Sequence, residues 1–278
     1  SVSGNFNDLC GYWGCSNNSH KWFIYTGWNP KETIFNHNFY INSGNSNVTI
    51  RGNVISRGAS HGLQLRPGGL AEDNFFLKNS LHMFIAKDGG IVRNNVALYA
   101  KDIDNGPRGM GFDINGRQPY VLMENNIVSQ MMPNRTYLNG DPVNIYSYKI
   151  IMDNSSYNGP STIIFRNNIA FRALADKNIY NYRKAPLFII QDSSKTDNTK
   201  VIIENNQFQS GDQYNILGVY GSIALNKGVF TFRNNSYYSR LNKSSTQSTM
   251  SWFSYSNSTY NYYLNYNSWK ALSGESDA

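Results

Sequence analysis

The sequence predicts an all-β protein built as a single right-handed parallel β-helix, a solenoid with irregular caps at both ends. Three observations predict it. A string centred on Asn recurs along most of the 278 residues. An apolar string precedes it in turn after turn. Charged residues are only 15% of the chain, too few for a surface of helices, and the polar remainder is mostly Asn, Ser, Tyr and Gly.

Residues 1–33 read as the N-terminal cap, irregular and aromatic, with Trp13, Trp22 and Trp28 beside the two cysteines, Cys10 and Cys15. The cysteines close a small disulfide loop or stay as thiols, and an extracellular composition favours the bridge. Residues 34–240 read as the solenoid. Residues 241–278 read as a C-terminal cap or tail, Ser/Tyr/Asn-rich before the amphipathic stretch Ser268-Trp269-Lys270-Ala271-Leu272.

Seven copies of the first string carry the solenoid: Arg51-Gly52-Asn53-Val54, Asp73-Asn74-Phe75-Phe76, Arg93-Asn94-Asn95-Val96, Glu124-Asn125-Asn126-Ile127, Arg166-Asn167-Asn168-Ile169, Glu204-Asn205-Asn206-Gln207 and Arg233-Asn234-Asn235-Ser236. The steps between them are 21, 21, 31, 42, 38 and 29 residues. One solenoid turn fits 21, so the longer steps predict loops inserted between strands that stay in phase. An Asn at the same place in each turn predicts a ladder of stacked side-chain amides at a bend.

The second string gives strands. It runs His37-Asn38-Phe39-Tyr40-Ile41-Asn42, His61-Gly62-Leu63-Gln64-Leu65-Arg66, His82-Met83-Phe84-Ile85-Ala86-Lys87, Arg108-Gly109-Met110-Gly111-Phe112-Asp113, Tyr148-Lys149-Ile150-Ile151-Met152-Asp153, Pro186-Leu187-Phe188-Ile189-Ile190-Gln191 and Asn215-Ile216-Leu217-Gly218-Val219-Tyr220. Aligned this way, positions three and five are apolar throughout and face inward, and two, four and six face outward. The first position, with His37, His61 and His82, reaches the outer face only where a bend redirects the strand.

That alignment predicts an outward patch of Arg66, Lys87 and Asp113, edged by His61, His82 and Arg108, with Gly62, Gly109 and Gly111 leaving room for a glycan. Gly68-Gly69 and Gly89-Gly90 repeat at 21 and turn the chain beside it. Grouped cations repel one another unless an anion neutralises them. The plainer reading makes the His column a turn cap and pairs Arg66 and Lys87 with nearby carboxylates.

A net charge of +7 favours an anionic partner, and the cations form no basic run of the kind nucleic-acid binders carry. No apolar stretch is long enough to span a bilayer. The favoured reading is a secreted or cell-surface polysaccharide lyase acting on an acidic, uronic-acid-containing polysaccharide by β-elimination. Arg66 and Arg108 hold the carboxylate, His61, His82 or Lys87 takes the adjacent proton, and Tyr148 protonates the leaving oxygen. Gln64, Asp113, Asp153 and His37 complete the substrate-binding set.

Two alternatives stand beside it. Asp113 and Asp153, one turn apart, would serve a glycoside hydrolase, and a non-catalytic glycan-binding solenoid of tailspike or adhesin type would need neither scheme. Asp88, Asp102 and Asp104 fall in bends and could join either chemistry. Calcium is the one cofactor these acids could take, and two outward carboxylates make a poor set for it.

From Asn53 to Asn235 the pattern resembles the right-handed parallel β-helix superfamily of polysaccharide lyases, glycoside hydrolases and epimerases, over roughly residues 34–240. The segment Trp269-Lys270-Ala271-Leu272-Ser273-Gly274-Glu275-Ser276-Asp277 resembles the Trp…Ser/Thr-Gly…Asp segment that follows the solenoid in some members. The resemblance implies the fold and leaves the reaction open, because one solenoid carries several chemistries. The acidic calcium set of the pectate lyases and the Asp-Pro-His-Asp string of alginate epimerases are not recognisable here.

Overall fold

The computed structural model describes residues 2–3, 6–7, 37–58, 60–100, 109–131, 145–152, 157–173, 184–191, 198–210, 216–221, 228–239, 253–256 and 261–276. These form a parallel β-helix walled by three sheets of eight, eight and nine strands. Successive strands go in turn to sheet A, sheet B and sheet C, so each coil adds one rung to each wall. Every pairing is parallel except the last, where Phe253–Ser256 meets Asn261–Leu264 antiparallel in sheet C.

The corner from sheet A to sheet B is the same in coil after coil. Strands of sheet A ending at Arg51, Glu72, Arg93, Glu124, Arg166, Glu204 and Arg233 are each followed by two residues and then a strand of sheet B. The first of the two is left-handed, with φ between 55° and 65° at Gly52, Asp73, Asn94, Asn125, Asn167, Asn205 and Asn234. Gly, Asn and Asp tolerate that conformation best, which explains the first Asn of each pair.

The second residue forms the predicted ladder. Each Nδ2 of Asn53, Asn74, Asn95, Asn126, Asn168 and Asn206 donates to the Oδ1 of the next rung at 2.9–3.2 Å. The same Oδ1 atoms accept the backbone N–H of the rung before. Buried polar groups at the bend are thereby satisfied along the whole stack. A charge ladder runs beside it, since the last residues of the sheet A strands pair in the order Arg51, Glu72, Arg93, Glu124, Arg166, Glu204, Arg233. Ion pairs include Arg93 to Glu72 at 2.7 Å and Arg166 to Glu124 at 2.8 Å.

The core is apolar and partly aromatic. Phe76, Phe112, Tyr148, Phe165, Phe208 and Tyr237 touch in succession with ring centroids 4.9 to 6.2 Å apart. At the far end a helix, α1 (Tyr266–Ser273), begins where the Asn265 side chain accepts the Ser268 N–H at 2.9 Å and ends at left-handed Gly274. It buries Trp269 against Phe232. Glu275 then takes the place of an eighth ladder residue, accepting from Asn235 Nδ2 at 3.0 Å, from Trp269 Nε1 at 3.0 Å and from the Tyr237 hydroxyl at 2.8 Å. At the near end, Val2–Ser3 and Phe6–Asn7 already pair into sheets A and B, within the stretch read as the N-terminal cap. Cys10, Cys15, Trp13, Trp22 and Trp28 lie outside the described residues.

Sheet C corrects the sequence alignment. Leu63 pairs with Met83 and Leu65 with Ile85, so Met83 and Ile85 face the core while Phe84 faces out. The string at His82 was therefore set one residue out of register. The same slip affects the string at Pro186, where Leu187 and Ile189 face in and Phe188 and Ile190 out. Strings beginning at Arg108 and Tyr148 were displaced by two, because Phe112 and Tyr148 align with Leu63.

The bend required by the sequence reading does exist. Leu81, Met110 and Tyr146 lie in an outer cluster, whereas Met83, Phe112 and Tyr148, two positions on, lie in the core. Alternation breaks at the level of Gly62, His82, Gly111 and Ser147, and turns the preceding residues outward. Gly68 and Gly89, with φ of 74° and 83°, make the tight corner that follows sheet C, where a Cβ on Gly68 would collide with the Gly89 carbonyl.

Candidate functional site

With the register corrected, three outward rows cross sheet C. Before the bend stand His61, Leu81, Met110 and Tyr146. After it come Tyr40, Gln64, Phe84, Asp113, Lys149 and Phe188, and finally a row that includes Ala86, Asn115, Ile151 and Ile190. Stacked strands lie about 4.8 Å apart, so neighbours within a row are spaced for contact with one extended polymer.

Polar chemistry gathers at the first coils. His37 Nδ1 lies 3.0 Å from His61 Nδ1 and 3.3 Å from the His61 backbone N–H, and Ser60 Oγ lies 2.9 Å from His61 Nδ1. With His37 Nδ1 accepting the backbone N–H, the His61 tautomer that carries its proton on Nδ1 fits the contact between the rings and would leave Nε2 as the basic nitrogen. Tyr40 stacks on His37 with centroids 5.5 Å apart and is 47% exposed. The Arg66 guanidinium sits 5.0 Å over the Tyr40 ring.

Gln64, beside Tyr40 in its row, is buried, and its Oε1 has no hydrogen-bond partner. A buried acceptor left unpaired is costly to the fold. The edge of His61 meets Phe84, 5.6 Å between centroids, which closes one side of the cluster.

A second polar group lies further along the same face. Asp113 Oδ2 is 2.7 Å from Lys149 Nζ and accepts from the Tyr146 hydroxyl at 3.3 Å, while Lys149 stands 5.0 Å over the Tyr146 ring. Asp113 is buried beside Tyr146. Its neighbours in the row are Phe84 and Lys149.

The structure keeps some of the predicted residues together and separates others. His37, His61, Gln64 and Arg66 form one cluster. His82 does not join it: the ring is fully buried, packs on Phe76, and receives Asn79 Nδ2 at 3.3 Å. Burial lowers its pKa to about 3, so it is a neutral core residue and no surface base. Tyr148 is likewise inward, its hydroxyl donating to Asn126 O at 2.9 Å, and burial pushes its pKa up. It cannot meet a substrate on the outer face.

Lys87 is exposed in the turn after its strand, with φ 65°; the neighbour of Arg66 is Ala86. Asp113 belongs to the row of Gln64, and its partner is Lys149 rather than Asp153. Asp153, Arg108, Asp102 and Asp104 lie outside the described residues. Sequence reasoning missed Tyr40, Tyr146 and Lys149 as site residues. The column of Leu65, Ile85, Ile114, Ile150 and Ile189 would have exposed them, because it fixes the register that the His column obscured.

No family model, curated protein or solved structure matches the chain. Among the described residues, no group of three His, Cys, Asp or Glu is placed to hold a metal ion. Among the described residues of the outer face, the Asp113 carboxylate is taken up by Lys149. No helix is long and apolar enough to cross a membrane among the described residues.

Proposed function

We propose that this protein cleaves an acidic, uronic-acid-containing polysaccharide by β-elimination, at His61, Arg66 and Tyr40 on the outer face of sheet C. The observation that carries the reading is the meeting of an imidazole pair, a guanidinium and an exposed phenol on adjacent rungs. Arg66 binds the uronate carboxylate and so makes the adjacent carbon more acidic. His61 Nε2 takes the proton from that carbon. The electron pair becomes the new C4–C5 double bond as the C4–O bond breaks, and the Tyr40 hydroxyl protonates the departing oxygen.

His37 acts through His61 by holding its tautomer. Such a polymer is met outside the cell, so the reading makes the protein secreted or surface-bound.

Incubation with uronic-acid polymers should generate the ultraviolet absorbance of an unsaturated sugar. His61→Ala should lower turnover by roughly a hundred- to ten-thousandfold in protein whose circular dichroism still shows the coil, although losing a buried, hydrogen-bonded ring also lowers its stability. New reducing ends without that absorbance would replace elimination by hydrolysis. Binding without either product would make the protein a glycan-binding solenoid.

A further inference from the structure

Sheet A presents an outer face whose pattern matches itself. Its strands make their principal described contacts with one another, and with α1 only at the last strand. Two columns run down it side by side. One is the Arg/Glu ladder, in which arginine side chains 40 to 59% exposed stand over glutamates only 5 to 13% exposed. The other is aliphatic, with Leu70, Ile91, Leu122, Ile164 and Ile202 on successive rungs. All but Leu122 are partly exposed, in a row that no insertion interrupts within the sheet.

We propose that sheet A docks a second copy of this chain, face to face and antiparallel, offset so that each protruding arginine enters the recess above a glutamate. The geometry follows from the alternation. A two-fold axis parallel to the strands reverses the order of rungs and keeps each column over itself. Placed midway between Glu124 and Arg166, it sets Glu124 against Arg166 of the other copy, Arg93 against Glu204 and Glu72 against Arg233.

The same operation lays Leu122 on Ile164 and Ile91 on Ile202, so apolar contact and charge pairing agree. An axis placed on a rung would instead oppose like charges. Charge alternation thus restricts an isologous interface to axes that fall between rungs, and axes near the middle of the sheet pair the most rungs. Six opposed rungs about 4.8 Å apart give a contact some 24 Å long. This inference is independent of the chemistry on sheet C.

Sedimentation velocity and light scattering on the whole chain test it. A dimer should form at low ionic strength and loosen as salt is added, because the paired charges are only partly buried. Ile164→Lys, and separately Ile91→Lys, should each raise the dimer dissociation constant by more than about tenfold, with the circular dichroism of the coil retained. A monomer at every concentration and salt would overturn the proposal, and so would a dimer indifferent to both lysines. Should the lysine variants fail to fold, phenylglyoxal labelling of the wild-type chain decides. Arg93 and Arg166 should lose reactivity as concentration rises, and unchanged reactivity in a dimeric sample would exclude this face.

Discussion

The A-to-B corner and the outer face of sheet C are built from the same coils and obey different rules. At the corner, a fixed two-residue connection repeats through repeats of 21 to 42 residues, and extra chain enters only around sheet C. Corner side chains satisfy one another: amide to amide, arginine to glutamate. On sheet C the polar groups are fewer and less complete, with an open acceptor at Gln64 and an ion pair set among apolar residues at Asp113. The difference teaches that this solenoid separates its holding from its binding. A self-satisfied corner tolerates variation elsewhere, while an unfinished face is where a ligand can contribute.

The largest effect should come from breaking the ladder at its middle. Asn126→Ala removes the acceptor for the Asn95 backbone and side-chain N–H groups, and the donor to Val92 O and Asn168. Each buried group left open costs about 1–3 kcal/mol, so several kcal/mol of stability should disappear. Asn125→Gly, one residue earlier, keeps the left-handed conformation and should change stability by only a few tenths of a kcal/mol. Urea denaturation of the two variants checks the contrast. Equal loss in both would mean that the turn, and not the ladder, holds the corner.

The same contrast explains what could be read from sequence. Asn53 through Asn235 were legible because two constraints coincide there: a left-handed residue admits few side chains, and a buried ladder admits fewer still. The order of coils followed from that. Sheet C was less legible because its outer face is also apolar at Leu81, Phe84, Met110, Phe188 and Ile190. Hydrophobic alternation fixes register only where one face is polar. His61 and His82 therefore looked alike as sequence, though the bend sends one outward and the other into the core. The register of Leu63 and Leu65 was legible because their strand carries polar residues, Gln64 and Arg66, at the outward positions.

His82 sharpens the comparison from the core side of that bend. Its ring is neutral in the folded protein, with a pKa lowered from 6.5 to about 3 by burial, and its Nε2 has no partner. The unfolded chain binds a proton below pH 6.5 that the folded chain refuses until about pH 3. The His82 contribution to stability is therefore whole above pH 6.5 and falls as pH drops through that window, by up to about 1.4 kcal/mol per pH unit. Carboxylates add their own acid sensitivity, so the measurement is a difference. His82→Leu should flatten the decline relative to wild type between pH 6.5 and 4. Parallel curves for the two proteins would mean that the imidazole is not buried in solution.

The smallest effect separates an inward tyrosine from an outward one. Tyr148→Phe removes a hydroxyl that donates to Asn126 O at 2.9 Å and approaches Ile169 O at 3.2 Å. The ring stays packed against Phe112 and Phe165, so about 1 kcal/mol of stability should be lost. Turnover should not change, since the hydroxyl faces the coil interior. Tyr40→Phe should do the reverse, removing the proton donor of the proposed reaction while unfolding hardly moves, because an exposed ring supports little core. If Tyr148→Phe abolished turnover with the fold intact, the bend could not be turning the strand as described. The acid would then have to be sought on the other side of sheet C.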